Sequence, residues 1–321
     1  MSLPELELPI ATFPTLPIEL VEQILCDCAS TALHERRMWA LNIALVNRDT
    51  YLAIKGILYE TMVITPDNYD QVFAMFYDDS FLHVFRAVVR LIVTQNFFEI
   101  YNSGPTYSWE GATPRWWEQK RFFSAFSCLE DFDIPLRSFQ YMTRYASFAP
   151  RRLAINFGTI ISIYLTDSKA GVLASLTHIS GYFHARSVGT ILENAPALTH
   201  FAFDFTRTER EDNYSNNPTI LHPPIKLDEL ELVLQTAVLS KLLTVIAVAI
   251  NGDHVVRYRK PVKHIVRKLG DPRVRLWFDE RRIGTRDDEE QFREEDAWAG
   301  RDVWTEAKPF VDIEPDVGDL P

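Results

Sequence analysis

The chain has 321 residues, 47% of them hydrophobic, enough for a sizeable core, and its 33 Lys and Arg against 44 Asp and Glu give a net charge of −11. A phosphate-binding face needs clustered cations, so this balance argues against nucleic acid and anionic membranes and favours basic or neutral partners. Cys26, Cys28 and Cys128 are too few and too poorly spaced for a disulfide framework, and Met1 to Phe13 lacks the basic flank and apolar run of a signal peptide, so an intracellular location, cytoplasmic or nuclear, is expected.

The first element predicted is a helix starting at Pro17, where a missing backbone donor costs nothing. Leu20, Ile24 and Cys28 follow at i, i+4 and i+8, with Val21 and Leu25 beside them, forming one apolar stripe. Cys26-Asp27-Cys28 has no second pair to complete a metal site. A polar link, Ser30 to Arg37, precedes a second helix over Met38 to Val46, carrying Leu41 and Leu45. A third, over Leu52 to Tyr59, carries Ile54, Ile57 and Leu58. Such short amphipathic helices must pack together to hide these faces.

Leu16-Pro17-Ile18-Glu19-Leu20, then Ile24, Leu41, Leu45, Val46, Asn47, Arg48 and Tyr51, resembles an F-box, the helical module that binds the Skp adaptor of cullin-RING ubiquitin ligases. By position the resemblance assigns adaptor contact to Leu16, Pro17, Leu20, Ile24, Leu41, Leu45 and Val46, with the Leu-x-x-x-Leu-Val stretch closing the bundle. The link between the first two helices is longer and more charged than the family's, and Tyr51 stands where Trp is common. Leu58-Tyr59-Glu60-Thr61-Met62-Val63-Ile64 looks like the exit from F-box-like segments abundant in mushroom-forming fungi. An unrelated helical cap is the competing reading.

Downstream, Leu-x-x-Leu-x-Leu cores resemble degenerate leucine-rich repeats: Val88/Leu91/Val93, Leu129/Phe132/Ile134, Leu153/Ile155, Leu176/Ile179, Leu198/Phe201/Phe203, Leu227/Leu230/Leu232 and Val274/Leu276. The Asn and Cys ladder positions of the family are mostly missing, which leaves unrelated strands as the alternative. Alternation along each core buries the apolar positions and turns their neighbours to one exposed sheet face. Asp131, Arg152, His178, His200, Asp204, Glu229 and Glu231 on that face form the candidate substrate surface, with Asp133, Asn156 and Ser180 beside them. Stacked repeats of this kind build extended binding surfaces.

Ser168 to Ala174 and Val188 to Ala195 read as connecting helices; Asn102 to Trp117 and Thr206 to Pro224 read as surface loops. Leu230 to Ile250 is long and apolar enough to raise a membrane span, but Glu231, Gln235 and the central Lys241 oppose it. Strand, core helix and strand is the better reading. Past Asp279, Glu280 to Asp296 is a mixed-charge run, and Trp298, Val303, Trp304 and Phe310 are candidates to cap the final repeat.

The sequence contains no Gly-x-Ser-x-Gly, no phosphate loop ending in Lys-Ser/Thr, and no second His at metalloprotease spacing after His34-Glu35. The expectation is an α/β protein in five parts: a flexible start (1–14), a three-helix F-box-like module (15–65), a degenerate leucine-rich-repeat-like solenoid of parallel strands and helices (66–278), a capping segment (279–311) and a disordered tail (312–321). Its function would be non-catalytic, a substrate-recognition subunit joining a Skp-type adaptor and cullin complex to an unidentified protein, with no cofactor, metal, nucleic acid or membrane. A repeat scaffold without adaptor binding, and a hydrolase with a cryptic site, are the competing functions.

Overall fold

The computed structural model describes residues 17–35, 37–46, 48–65, 67–93, 120–135, 149–156, 171–181, 183, 185–204, 227–281, 295–296 and 301–310. The chain divides into two compact units, Met1–Leu58 and Tyr59–Pro321.

Three helices make up the first unit: α1 (Ile18–Glu35), α2 (Arg37–Ala44) and α3 (Arg48–Glu60). The Pro17 carbonyl accepts from the amides of Leu20 and Val21, so α1 begins where the sequence places it. Most of the polar link expected from Ser30 to Arg37 is helical instead: Ser30 to Glu35 are the last turns of α1, and Arg37 opens α2. Ser30-Thr31-Ala32-Leu33-His34-Glu35 contains neither Gly nor Pro, and polarity alone does not stop a helix. A small core of Ala29, Ala44, Ile54 and Leu58 is filled out by Leu25, Cys26, Leu41 and Tyr51. Cys26 donates its thiol to the Ala53 carbonyl at 3.5 Å, which accounts for it as a packing residue. The expected bundle-closing stretch is corrected: α2 stops at Ala44, and Leu45 and Val46 are 81% and 72% exposed.

The second unit is mixed α/β, built on a nine-stranded, mostly parallel sheet whose strand order follows chain order. β1 (Thr61–Ile64), grouped with the helices in the sequence reading, is its first strand. Next come β2 (Arg90–Val93), β3 (Asp131–Pro135), β4 (Arg152–Asn156), β5 (His178–Gly181), β6 (His200–Asp204), β7 (Val245–Asn251) and β8 (Val274–Asp279). β1 to β8 pair in parallel, and β9 (Lys308–Pro309) closes the β8 edge antiparallel.

Between the strands lie α4 (Tyr69–Tyr77), α5 (Leu82–Ala87), α6 (Lys120–Ala125), α7 (Gly171–Ser175), α8 (Ala185–Asn194), α9 (Leu227–Val238) and α10 (Gly252–Leu269); α11 (Val303–Glu306) precedes β9. Alternate strand residues Leu91, Phe132, Leu153, Ile155, Ile179, Phe201, Phe203, Ile246, Val248 and Leu276 share one core with Phe76, Phe85, Phe122, Val188, Ile191, Leu230 and Val262 of the helices. Phe201 and Phe203 therefore point the same way, as period-two alternation requires.

The strand expected at Leu227/Leu230/Leu232 is overturned, because this segment is α9 and the sheet continues with β7. Leu230, Val233, Leu234 and Ala237 are buried at helical spacing, whereas Leu232, expected inside, is 52% exposed. A Leu-x-x-Leu-x-Leu string suits either period, and here Asp228 and Glu229 in the first turn oppose the helix dipole favourably. The long apolar segment is thus a helix followed by a strand, and no described helix is long and apolar enough to cross a membrane. The two stretches read as loops, and Trp298, lie outside the described residues.

Candidate functional site

Strand register sets the site on the sheet face opposite the helices. Arg90, Asp131, Arg152, His178 and His200 are successive partners across β2 to β6, so they form one row. Behind it run Asp133, Ala154, Ser180, Ala202 and Ala247. Asp204 pairs with Ala249 at the far end of β6.

The structure thereby joins Asp131, Arg152, His178 and His200 but separates Glu229 and Glu231. Those two lie on α9, and Glu231 accepts from Lys268 of α10 at 2.6 Å. Their place in the expected surface is withdrawn, since a helix carries them to the opposite layer.

A ladder of threonines holds the histidines. Thr177 donates its hydroxyl to the Arg151 carbonyl at 3.0 Å, Thr199 to the Thr177 carbonyl at 3.2 Å, and Thr244 to the Thr199 carbonyl at 3.1 Å. The same Thr177 and Thr199 oxygens lie 2.8 Å from Nδ1 of His178 and His200. A hydroxyl has one hydrogen, so each threonine shares it between the carbonyl and the imidazole, and either way the short Oγ1–Nδ1 contact fixes the orientation of the ring. The two rings stack with centroids 3.9 Å apart and planes 16° from parallel.

Electrostatics keeps this pair neutral. Burial first, then His200 and Arg152, lowers the His178 pKa to about 4; burial, then Arg152 and Arg275, lowers that of His200. Burial raises Asp131 to about 6, although Arg90 opposes the shift from 3.5 Å. Arg90 also reaches the Asp302 carboxylate at 3.9 Å.

Asp302 opens a strap whose Val303, Trp304 and Phe310 are the residues expected to cap the last repeat. Its carboxylate accepts from the amides of Trp304 and Thr305 while Thr305 accepts from the Asp302 amide, a reciprocal cap on α11. Val303 and Ala307 pack on Ala202, Ala247, Ala249 and Trp277; small strand residues let the strap approach. Trp304 stands beside the stacked His178 and His200 rings and perpendicular to both, with centroids 5.3 and 5.7 Å away. Phe310 reaches the main core on the other side of the sheet. Asp133 and Ser180, expected on an open face, are consequently buried at 5% and 2%.

Between strap and sheet lies a small pocket lined by Arg90, Asp131, Asp133, Arg152, Asp302 and Trp304. It offers the guanidinium groups of Arg90 and Arg152 beside the carboxylates of Asp131, Asp133 and Asp302, with Trp304 at its wall, which suits hydrogen bonding to a small polar group; neither histidine lines it. No cluster of three or more His, Cys, Asp or Glu suited to a metal ion occurs among the described residues. Arg90 could have been found by its offset before Leu91, matching Asp131 before Phe132, and Asp302 by its three-residue spacing to Thr305.

On the helical unit, Leu20 and Ile24 are each 50% exposed, Pro17 is exposed, and Leu41 is partly buried in the small core. Leu16 lies outside the described residues. No protein-family model, no curated protein and no solved structure matches this chain.

Proposed function

We propose that the chain is a non-catalytic recognition subunit of a Skp/cullin/F-box-type ubiquitin ligase. The helical unit docks on a Skp-type adaptor, and the strand face with its strap selects a target protein. The carrying observation is that an N-terminal three-helix unit leaves Leu20, Ile24, Leu45 and Val46 in solvent while a separate core holds it together. Apolar side chains presented this way favour association, each worth about 1.5–3 kcal/mol when fully covered. Chain-order stacking of parallel strands with helices on one side supports the repeat reading. The ligase would act by proximity, raising the effective concentration of a target lysine.

Co-purification with a Skp-type adaptor tests this reading. The wild-type chain is expected to retain the adaptor, and Leu20→Glu with Ile24→Glu to lose it while the sheet unit keeps its melting temperature. A wild-type chain that never binds an adaptor refutes the proposal. One observation favours a repeat scaffold without adaptor binding: α1 continues without a break to Glu35, departing from the family's spacing between its first two helices.

A further inference from the structure

Helix α10 inverts the charge of the chain. Its 18 residues hold six of the 33 Lys and Arg and one of the 44 acids, Asp253, so the rest of the protein is more acidic than the net charge of −11 suggests. The helical period sorts four of the six cations to the surface, Arg257, Lys260, Arg267 and Lys268, while Arg259 is half-buried and Lys263 is buried at 3%. Val255, Tyr258, Val262, Ile265 and Val266 are buried against the sheet, and Arg257, Lys260, His264, Arg267 and Lys268 are exposed on the opposite arc.

Two cations of this ridge, Arg257 and Lys260, have no ion-pair partner among the described residues. Lys268 is tied to Glu231, Arg259 at the rim to Glu280, and Arg267 lies over the Phe310 ring at 5.8 Å. Lys260 and His264 make no hydrogen bond or ion pair among the described residues, and Arg257 has only the neighbouring Tyr258 ring, at 5.2 Å. Val256, 88% exposed, sits on the same arc.

We propose that the exposed face of α10 docks a short acidic segment of a partner protein, one in which Asp and Glu flank a single apolar side chain. Charge complementarity supplies the class, and size narrows it. From Val256 to Lys268 the helix rises about 18 Å, the span of roughly five or six extended residues. A duplex or bilayer extends well past that length, and the net charge of the whole chain disfavours it. Sequence-independent duplex binding grows with the number of phosphates neutralised, and this ridge exposes only Arg257, Lys260, Arg267 and Lys268. The apolar side of α10 is committed to the core, so it cannot enter a membrane as interfacial helices do. Val256 provides the contact for the apolar residue.

Fluorescence anisotropy on the full chain tests the assignment with three probes: a labelled hexapeptide of Asp and Glu around one Leu, its Asn/Gln counterpart, and the acidic peptide in competition with a short DNA duplex or phosphatidylserine vesicles. The acidic peptide is expected to bind, to weaken as salt rises because the ridge is solvent-screened, and to outcompete both polyanions; the neutral peptide is expected not to bind. Arg257→Glu with Lys260→Glu is expected to weaken binding by roughly tenfold or more, since two attractive contacts become repulsive. The exposed Arg86→Glu on α5 is the control and is expected to leave it within about twofold. If charge reversal lowers the melting temperature, Arg257→Gln with Lys260→Gln replaces it, with the same direction expected. Equal binding of the neutral peptide, tighter binding of duplex or vesicles, no saturation by about 1 mM, or indifference to the α10 substitutions overturns the proposal.

Discussion

The Trp304 indole stands perpendicular to the His178 ring with centroids 5.3 Å apart, fastening the C-terminal strap to the middle of the parallel sheet. The contact repeats on His200 at 5.7 Å, so one aromatic side chain spans two strands. Trp304→Ala is expected to destabilise the sheet unit by roughly 1–3 kcal/mol, below a fully buried Trp because the indole is partly exposed. Urea unfolding read by circular dichroism measures the loss. An unchanged midpoint shows that the strap contributes nothing to stability.

The acid response of the same row has two opposing parts. His178 has a folded pKa of about 4, below its ordinary 6.5, so its contribution is present above about pH 6.5 and is lost as pH falls towards 4. Asp131 is raised from 3.8 to about 6, so its contribution is present at low pH and lost as pH rises through 6. Asp131→Asn is expected to stabilise the protein at pH 7, by no more than about 3 kcal/mol because Arg90 loses a partner, and to lose that advantage near pH 4. His178→Gln is expected to make acidification from pH 7 to 5 less damaging than in wild type. Thermal melts across pH decide both, and a pH-independent difference for either variant contradicts the assigned shift.

At Gly181 the constraint is space. A Cβ there would lie 2.8 Å from the Ile155 carbonyl oxygen and 3.2 Å from the Phe183 ring, and Ile155 is its strand partner. Backbone cannot yield as a flexible side chain does. Gly181→Ala is expected to cost roughly 1–3 kcal/mol, while Gly189→Ala on α8, where nothing lies within 4 Å, is expected to be neutral or stabilising. Equal melting temperatures for the two variants refute the argument.

The parallel strands were legible where apolar residues alternate, as at Phe132, Leu153 with Ile155, and Phe201 with Phe203, because a pleated strand buries every second residue. From the same alternation the row Asp131, Arg152, His178 and His200 could be read. Legibility failed at Leu227, where one leucine spacing satisfies both periods and only Asp228 and Glu229 at the helix start break the tie. It failed also for the strap: Val303 and Trp304 are visibly apolar, but their landing on Ala202, Ala247 and Ala249 is long-range pairing that no local period encodes. The threonine ladder shows in sequence only as Thr177-His178 and Thr199-His200; its meaning requires knowing that those strands are adjacent.

Arg273 organises the turn between α9 and β7 from a distance in sequence. Its guanidinium donates to the carbonyls of Val238 at 2.6 Å, Ser240 at 2.6 Å and Leu243 at 2.9 Å, and Asp271 holds the fork by accepting from Nε at Oδ1 and from Nη2 at Oδ2. Carbonyls after the last turn of a helix have no intrahelical donor, so one side chain satisfies three acceptors while β8 begins one residue later. The Asp271 pKa is lowered, chiefly by this arginine, so the pair stays charged at neutral pH. Arg273→Ala strips all three carbonyls at once and is expected to cost about 2–4 kcal/mol, charged hydrogen bonds being worth more than neutral ones. Arg273→Lys is expected to recover less than half of that, because an ammonium cannot present two parallel donors to Asp271 and still reach Val238. Hydrogen exchange localises the effect: amides of the last turn of α9 and the first residues of β7 should lose protection before those of β4. Uniform loss across the sheet, or full rescue by lysine, shows instead that a positive charge alone is required.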